Sequence, residues 1–281
     1  MTLQLTLLVL LAAFMHAVWN TLVKSSDDRL VELAMVNAVG GLIAACALPW
    51  VGIPDPASWW YILASIIIHT GYYFFLIQAY RVGDLSHVYP LARGFSPLVV
   101  AACAGFIAGE WLNAGQVTGV LLISVSIASL AWNGTWRQRE GMRPVLFAGA
   151  TGLMIAGYTL VDGTGVRLSG NALAYIAWLF TLDCLPLLAI AAVRRRGVIG
   201  QAFKTQWRTG VVGGMLAFAA YGLVIWALSL GAMAPVAALR ETSVVIAAVI
   251  GTAFLHEPFG WRRVLAAIGV AAGVITLRVA V

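Results

Sequence analysis

The side chains of this chain that are able to do chemistry are few enough to name. His16, Trp19 and Asn20 stand at i, i+3 and i+4, and His69, Tyr72, Tyr73 and Tyr80 recur at helical spacing. The run from His87 to Pro97 sets Tyr89, Arg93 and Ser96 on one face, and Pro235 is followed by Arg240, Glu241, Thr242 and Ser243. Spacings of three and four residues bring side chains together on a helix. These residue types bind rather than cut. A guanidinium receives a carboxylate through parallel N–H donors, and aromatic faces attract apolar groups and cations. A catalyst would need a nucleophile beside its base or a cluster of metal ligands, and neither H-E-x-x-H nor G-x-S-x-G occurs. The expectation is no enzyme, no metal and no cofactor.

The elements that must position these groups are membrane spans. Of the 281 residues 62% are hydrophobic and 10% charged, with mean hydropathy +0.93, against about 25% charge in a soluble domain. Charges are confined to short connectors between apolar runs of roughly 20 residues, the length that crosses a bilayer core. The runs lie near 3–23, 30–51, 58–80, 86–109, 114–132, 144–163, 170–192, 209–230, 233–255 and 261–280. Ala79, Gly83, Arg93, Ser96 and Glu110 are echoed by Ala227, Gly231, Arg240, Ser243 and Glu257, the last three pairs at a constant offset of 147. Each copy spans the end of a third and the whole of a fourth segment in a run of five. Five is odd, so the second unit enters the membrane from the opposite side, as in many secondary transporters. The expected fold is an all-α membrane protein of ten transmembrane helices, two inverted five-helix repeats (1–135 and 136–281) around a central cavity.

A polar group in hydrocarbon needs a partner, a cavity or a task. A shift of 139 residues lays Trp19 on Tyr158 and Asn20 on Thr159, which would make the two aromatics face one space from opposite sides. The third-span stripe of His69, Tyr72 and Tyr73 has Tyr221 and Trp226 as its eighth-span counterparts. Pro90 and Pro97, with Gly94 between them, predict an interrupted fourth helix, and Pro235 an interrupted ninth, both lining the cavity. Arg93 and Arg240 are then repeat-related cations near mid-membrane. Glu241 is a local partner for one of them, and the candidates for the other are Asp183 and a substrate carboxylate; sequence leaves these open. His16, His69, Asp183 and Glu241 are the deep groups able to titrate for proton coupling or to serve as ion-pair partners. Glu110 and Glu257 read as turn markers. Trp50, Trp59, Trp60, Trp111, Trp132, Trp136, Trp207 and Trp261 lie at span ends, an aromatic belt.

The net charge of +6 reports orientation. Of the basic residues outside the spans, thirteen lie on odd-numbered connectors, and only Arg167 and Arg278 lie elsewhere. The positive-inside bias therefore puts the odd connectors in the cytoplasm and both termini outside, in the periplasm of a bacterial inner membrane. Nucleic-acid binding is not supported, because the basic residues are scattered over five connectors. The three cysteines fall within apolar spans, which suits buried thiols and not a disulfide framework.

The two closing stretches, "FIAGEWLNAGQVTGVLLISVSIASL" and "FLHEPFGWRRVLAAIGVAAGVITL", resemble paired EamA domains of the drug/metabolite transporter superfamily, over essentially the whole chain. The chain is also similar to the aromatic amino-acid exporters of that group. The resemblance implies ten helices in two inverted units and export or exchange of small metabolites. With the residues above, it points to an inner-membrane secondary transporter exporting amino acids, aromatic or otherwise hydrophobic, by alternating access, as a monomer or weak homo-oligomer in the lipid bilayer. The alternatives are a nucleotide-sugar or organic-phosphate exchanger, disfavoured because only Arg93 and Arg240 would meet phosphate, and a channel, for which no repeated pore loop or charged ring is present.

Overall fold

The computed structural model describes residues 1–24, 28–83, 85–131, 141–197, 200, 204–255 and 260–280; Glu257 lies outside them. The described residues form helices and short turns. The helices are α1 (Leu3–Lys24), α2 (Arg29–Val51), α3 (Trp59–Val82, after a 3-10 turn at Pro56–Ser58), α4 (Leu85–Ala108), α5 (Ala114–Ser129), α6 (Arg143–Leu168), α7 (Ala172–Arg194), α8 (Trp207–Leu230), α9 (Met233–Arg240), α10 (Ser243–Leu255) and α11 (Trp261–Val279). Eight stretches are long and apolar enough to cross a membrane: those of α1 to α4 and α6 to α8, and Met233–Ile250 across α9 and α10. α5 is apolar but has 16 residues, and α11 carries Arg262, Arg263 and Arg278 at its ends.

Local signals start the helices where the chain must turn. Asp28 accepts hydrogen bonds from the Leu30 and Val31 amides, and Asn171 does the same for Leu173 and Ala174. Asn113 and Gln116 form a reciprocal capping box at α5. The burial pattern is that of a protein in lipid. Leu42, Ile67, Phe106, Leu146 and Leu173 face outward, as do Trp50, Trp60, Trp111, Trp207 and Trp261. Arg93, Arg240, Glu241, Asp162 and Thr159 are buried. Apolar residues outside and paired charges within satisfy both hydrocarbon and charge.

The helix neighbours are related by exchanging the two halves of the chain. α3 packs on α6 as α8 packs on α1, and α4 packs on α6 as α9 and α10 pack on α1. The α2–α7 and α5–α11 pairs each map onto themselves. Both run antiparallel. In the first, Asn171 bonds the Val51 carbonyl at one end while Arg195 meets Asp28 at 2.6 Å at the other. In the second, Asn113 bonds the Ala280 carbonyl, and Gly119 and Gly273 meet at the crossing. A Cβ on Gly119 would lie 2.6 Å from Leu277 Cγ, and one on Gly273 2.9 Å from the Gly119 carbonyl, so only hydrogen fits at this approach.

α4 is continuous through Pro90 and Pro97, which corrects the expected interruption. Each proline deletes one backbone bond, and a helix packed on α5, α6 and α9 tolerates that loss as a local bend. The ninth segment does break, at Glu241 and Thr242. Proline is not the cause. Pro235 is the third residue of α9, where an amide has no intrahelical acceptor in any case. The break is bridged by the Thr242 and Val244 amides donating three residues back, to Leu239 and Glu241.

Glu110, expected as a turn marker, is a clasp between the halves. One carboxylate oxygen accepts from the Met233 amide at the start of α9 (2.7 Å), and the other pairs with Arg167 at the end of α6 (2.5 Å). Arg167 also donates to the carbonyls of Leu228 and Gly231, 2.9 and 2.7 Å away, at the end of α8.

Candidate functional site

α4 and the α9–α10 break meet at the centre of the bundle and bring Arg93 and Arg240 onto one acid. Arg93 Nη1 donates to Glu241 Oε2 at 2.9 Å, while Arg240 Nε and Nη2 donate to Glu241 Oε1 at 2.9 and 2.7 Å. Both arginines are 2% exposed and Glu241 0%. The question left open by the sequence is thus answered: Glu241 serves both guanidiniums, and Asp183 neither pairs with Arg93 nor with Arg240. Two cations share one anion, so this cluster holds an excess of positive charge away from water.

His16 completes it. Its Nε2 lies 2.5 Å from Arg93 Nη2. Guanidinium has no acceptor, so the imidazole must present its bare nitrogen there. A neutral imidazole has one such nitrogen, so Nδ1 carries the hydrogen, and the indole N–H of Trp19 at 3.3 Å from Nδ1 is no hydrogen bond. The Trp19–His16 contact is instead edge-to-face, centroids 5.1 Å apart. Asn20 bonds its own helix, at the His16 carbonyl, 3.0 Å away.

Aromatic rings wall the charges. Arg93 lies over the Tyr89 ring at 5.2 Å and Arg240 over Tyr158 at 5.5 Å, within cation–π range. Tyr158 stacks on His69 with centroids 4.2 Å apart, and the edges of Tyr72 and Tyr221 close around it at 5.9 and 5.6 Å. His69 is held by its own helix, Nδ1 3.0 Å from the Ser65 carbonyl. The hydroxyls of Tyr89, Ser96 and Ser243 are buried without a hydrogen-bond partner, as is Asp183 Oδ1. Buried polar atoms of this kind are costly unless something else satisfies them.

Two expected members are elsewhere. Trp226 is 43% exposed on the outer face of α8, because it lies about 140° around the helix from Tyr221. Tyr73 turns from the arginines to donate to Asn37 Oδ1 at 2.9 Å and packs with Trp19 against α2 and α7. One residue that the sequence places on the Tyr158 face without a role is prominent: Asp162, 0% exposed, accepts from Tyr175 at 3.0 Å and from Tyr221 at 2.5 Å. The available signal was its position one turn beyond Tyr158. These side chains pack against one another where the sequence predicts the central cavity. An apolar crevice between Trp59, Trp60, Ile66 and Leu182 faces outward and holds none of them.

No curated protein matches the chain. A crystal structure of a protein 16% identical to it superposes with a TM-score of 0.79, covering 98% of this chain and 96% of that one, which shows a shared fold. The model of the EamA-like transporter family matches twice, over residues 4–132 and 142–279. With that match over nearly the whole chain, the protein belongs to the EamA-like transporter family and is a multi-pass membrane transporter of the drug/metabolite type.

Proposed function

We propose that this protein is an inner-membrane secondary transporter that exports amino acids, hydrophobic or aromatic ones foremost, by alternating access. One observation carries the reading: Arg93 and Arg240 share the single carboxylate of Glu241, beside the unpartnered hydroxyls of Tyr89, Ser96 and Ser243. An excess of one positive charge suits a substrate monoanion, and the carboxylate of an amino acid is one. The rings of Tyr72, Tyr89, Tyr158 and His69 would meet its apolar side chain. Entry of that carboxylate would exchange a guanidinium from Glu241 to the substrate, and the break at Glu241 gives α9 and α10 room to move separately.

Ten crossings in two inverted halves would serve the alternation. The exchange symmetry of helix contacts and the antiparallel α2–α7 and α5–α11 pairs favour that topology, with α5 and α11 as its fifth and tenth crossings. The odd connectors then face the cytoplasm and the Glu110–Arg167 clasp the periplasm. An impermeant thiol reagent applied to whole cells should label a cysteine placed in the connector 195–206 poorly and one at position 112 well.

The test of function is counterflow in proteoliposomes of the purified protein, preloaded in turn with amino acids, sugar phosphates and nucleotide sugars. Hydrophobic amino acids should stimulate uptake of labelled L-phenylalanine. Stimulation of labelled sugar-phosphate uptake instead would assign the arginines to phosphate, and flux without saturation would mark a channel.

A further inference from the structure

The arginine cluster is one of two polar centres, and the second has the opposite sign. Asp162 is wholly buried on α6 and takes one phenol on each oxygen, Tyr175 from α7 and Tyr221 from α8. Both phenols donate, which leaves the carboxylate as acceptor throughout. Ser65 of α3 adjoins the same group, and Arg240 is the cation in its field. Asp183 of α7, 9% exposed, lies within electrostatic reach of Asp162 and keeps Oδ1 unpartnered. Among the described residues, neither of these acids is in an ion pair with a guanidinium.

The two centres are joined by one ring. Arg240 lies over Tyr158 at 5.5 Å, and Asp162 follows Tyr158 by four residues, about 5–6 Å away along one helix face. Tyr221 touches Tyr158 edge to face at 5.6 Å and donates to Asp162. A cationic pole and an anionic pole therefore flank one aromatic wall, the arrangement of charges that the carboxylate and ammonium of one zwitterion complement. A carboxylate has about four acceptor positions and an ammonium three donors. The spare capacity of Asp162 and the unpartnered Asp183 Oδ1 are the acceptors on offer, and the π faces of Tyr158 and Tyr221 add cation attraction.

We infer that Asp162, held by Tyr175 and Tyr221 and backed by Asp183, is the subsite for a substrate ammonium group, so that the transporter selects zwitterions over simple carboxylates. The inference rests on the reading above that the arginines receive the carboxylate.

The experiment is counterflow competition in proteoliposomes of the full-length protein against labelled L-phenylalanine, with three competitors: L-phenylalanine, 3-phenylpropanoate (no ammonium) and 2-phenylethylamine (no carboxylate). For the wild type, L-phenylalanine should compete at least tenfold better than 3-phenylpropanoate. Asp162→Asn should bring the two acids within about twofold of each other, and Tyr221→Phe, which keeps the ring and removes one donor, should shrink the preference partway. A wild type that takes both acids equally overturns the ammonium subsite and leaves the carboxylate reading standing. So does an undiminished preference in Asp162→Asn or, should that variant not fold, in Tyr221→Phe. Competition by the amine and by neither acid overturns both readings.

Discussion

The segments that carry Arg93 and Arg240 occupy equivalent places in the two halves, yet they solve different problems. The offset that pairs Arg93 with Arg240 also pairs Gly94 with Glu241. In α4 the position after the arginine faces α5, where a Cβ would lie 2.7 Å from the Ser124 carbonyl and 2.9 Å from the Ala128 amide. No side chain fits there, so the first half has no acid beside its arginine. In the second half the same position sits at a helix break and aims a carboxylate at both guanidiniums. The pseudo-symmetry thus fixes where the cations stand, and its violation at a single position supplies their counter-ion. The helix with two internal prolines stays whole, while the one with the acid breaks.

The largest effect expected from breaking this contrast is at Glu241. Glu241→Gln leaves two buried cations without an anion, and removing one partner of a buried pair costs about 3–5 kcal/mol. Thermal unfolding in detergent should show a drop of that order, with transport lost. Arg93→Gln is the sharpening partner. It leaves Arg240 and Glu241 as a balanced pair, so the loss should be smaller, about 1–3 kcal/mol for the orphaned hydrogen bonds. Equal losses in the two variants would show that Glu241 does not serve both arginines.

Gly94→Ala comes next, since the atoms it meets are backbone and cannot swing away; overpacking of this kind costs about 1–3 kcal/mol, measured in the same unfolding assay. Arg167→Gln opens the clasp to Glu110. Both groups are partly exposed, 30% and 16%, so the stability change should stay near 0.5–1 kcal/mol. Its signature is faster labelling of a cysteine at position 232 in the α8–α9 turn. Trp226→Ala should do least, within about 0.5 kcal/mol and with unchanged counterflow, because the ring faces outward.

Much of the frame was legible because hydrocarbon imposes it. A bilayer demands apolar runs of a set length, so the helix limits follow from composition, and the 93/240 register follows from duplication. What was not legible is three-dimensional choice. Pro90 and Pro97 signal a break, but packing on α5, α6 and α9 holds α4 together. Depth in a span suggested Trp226 as a site residue, whereas the turn of the helix from Tyr221 puts it on the far side. Spacing puts Asp162 on the Tyr158 face but gives it no role, because its partners, Tyr175 and Tyr221, come from two other helices that no local spacing connects to it. The sharing of Glu241 is likewise a contact between halves.

Whether the paired arginines receive a substrate carboxylate is decided by competition in wild-type proteoliposomes. L-phenylalanine and L-phenylalaninamide share ring and ammonium and differ at the carboxylate. The acid should displace labelled L-phenylalanine at least tenfold better than the amide. Equal competition by the two would contradict it.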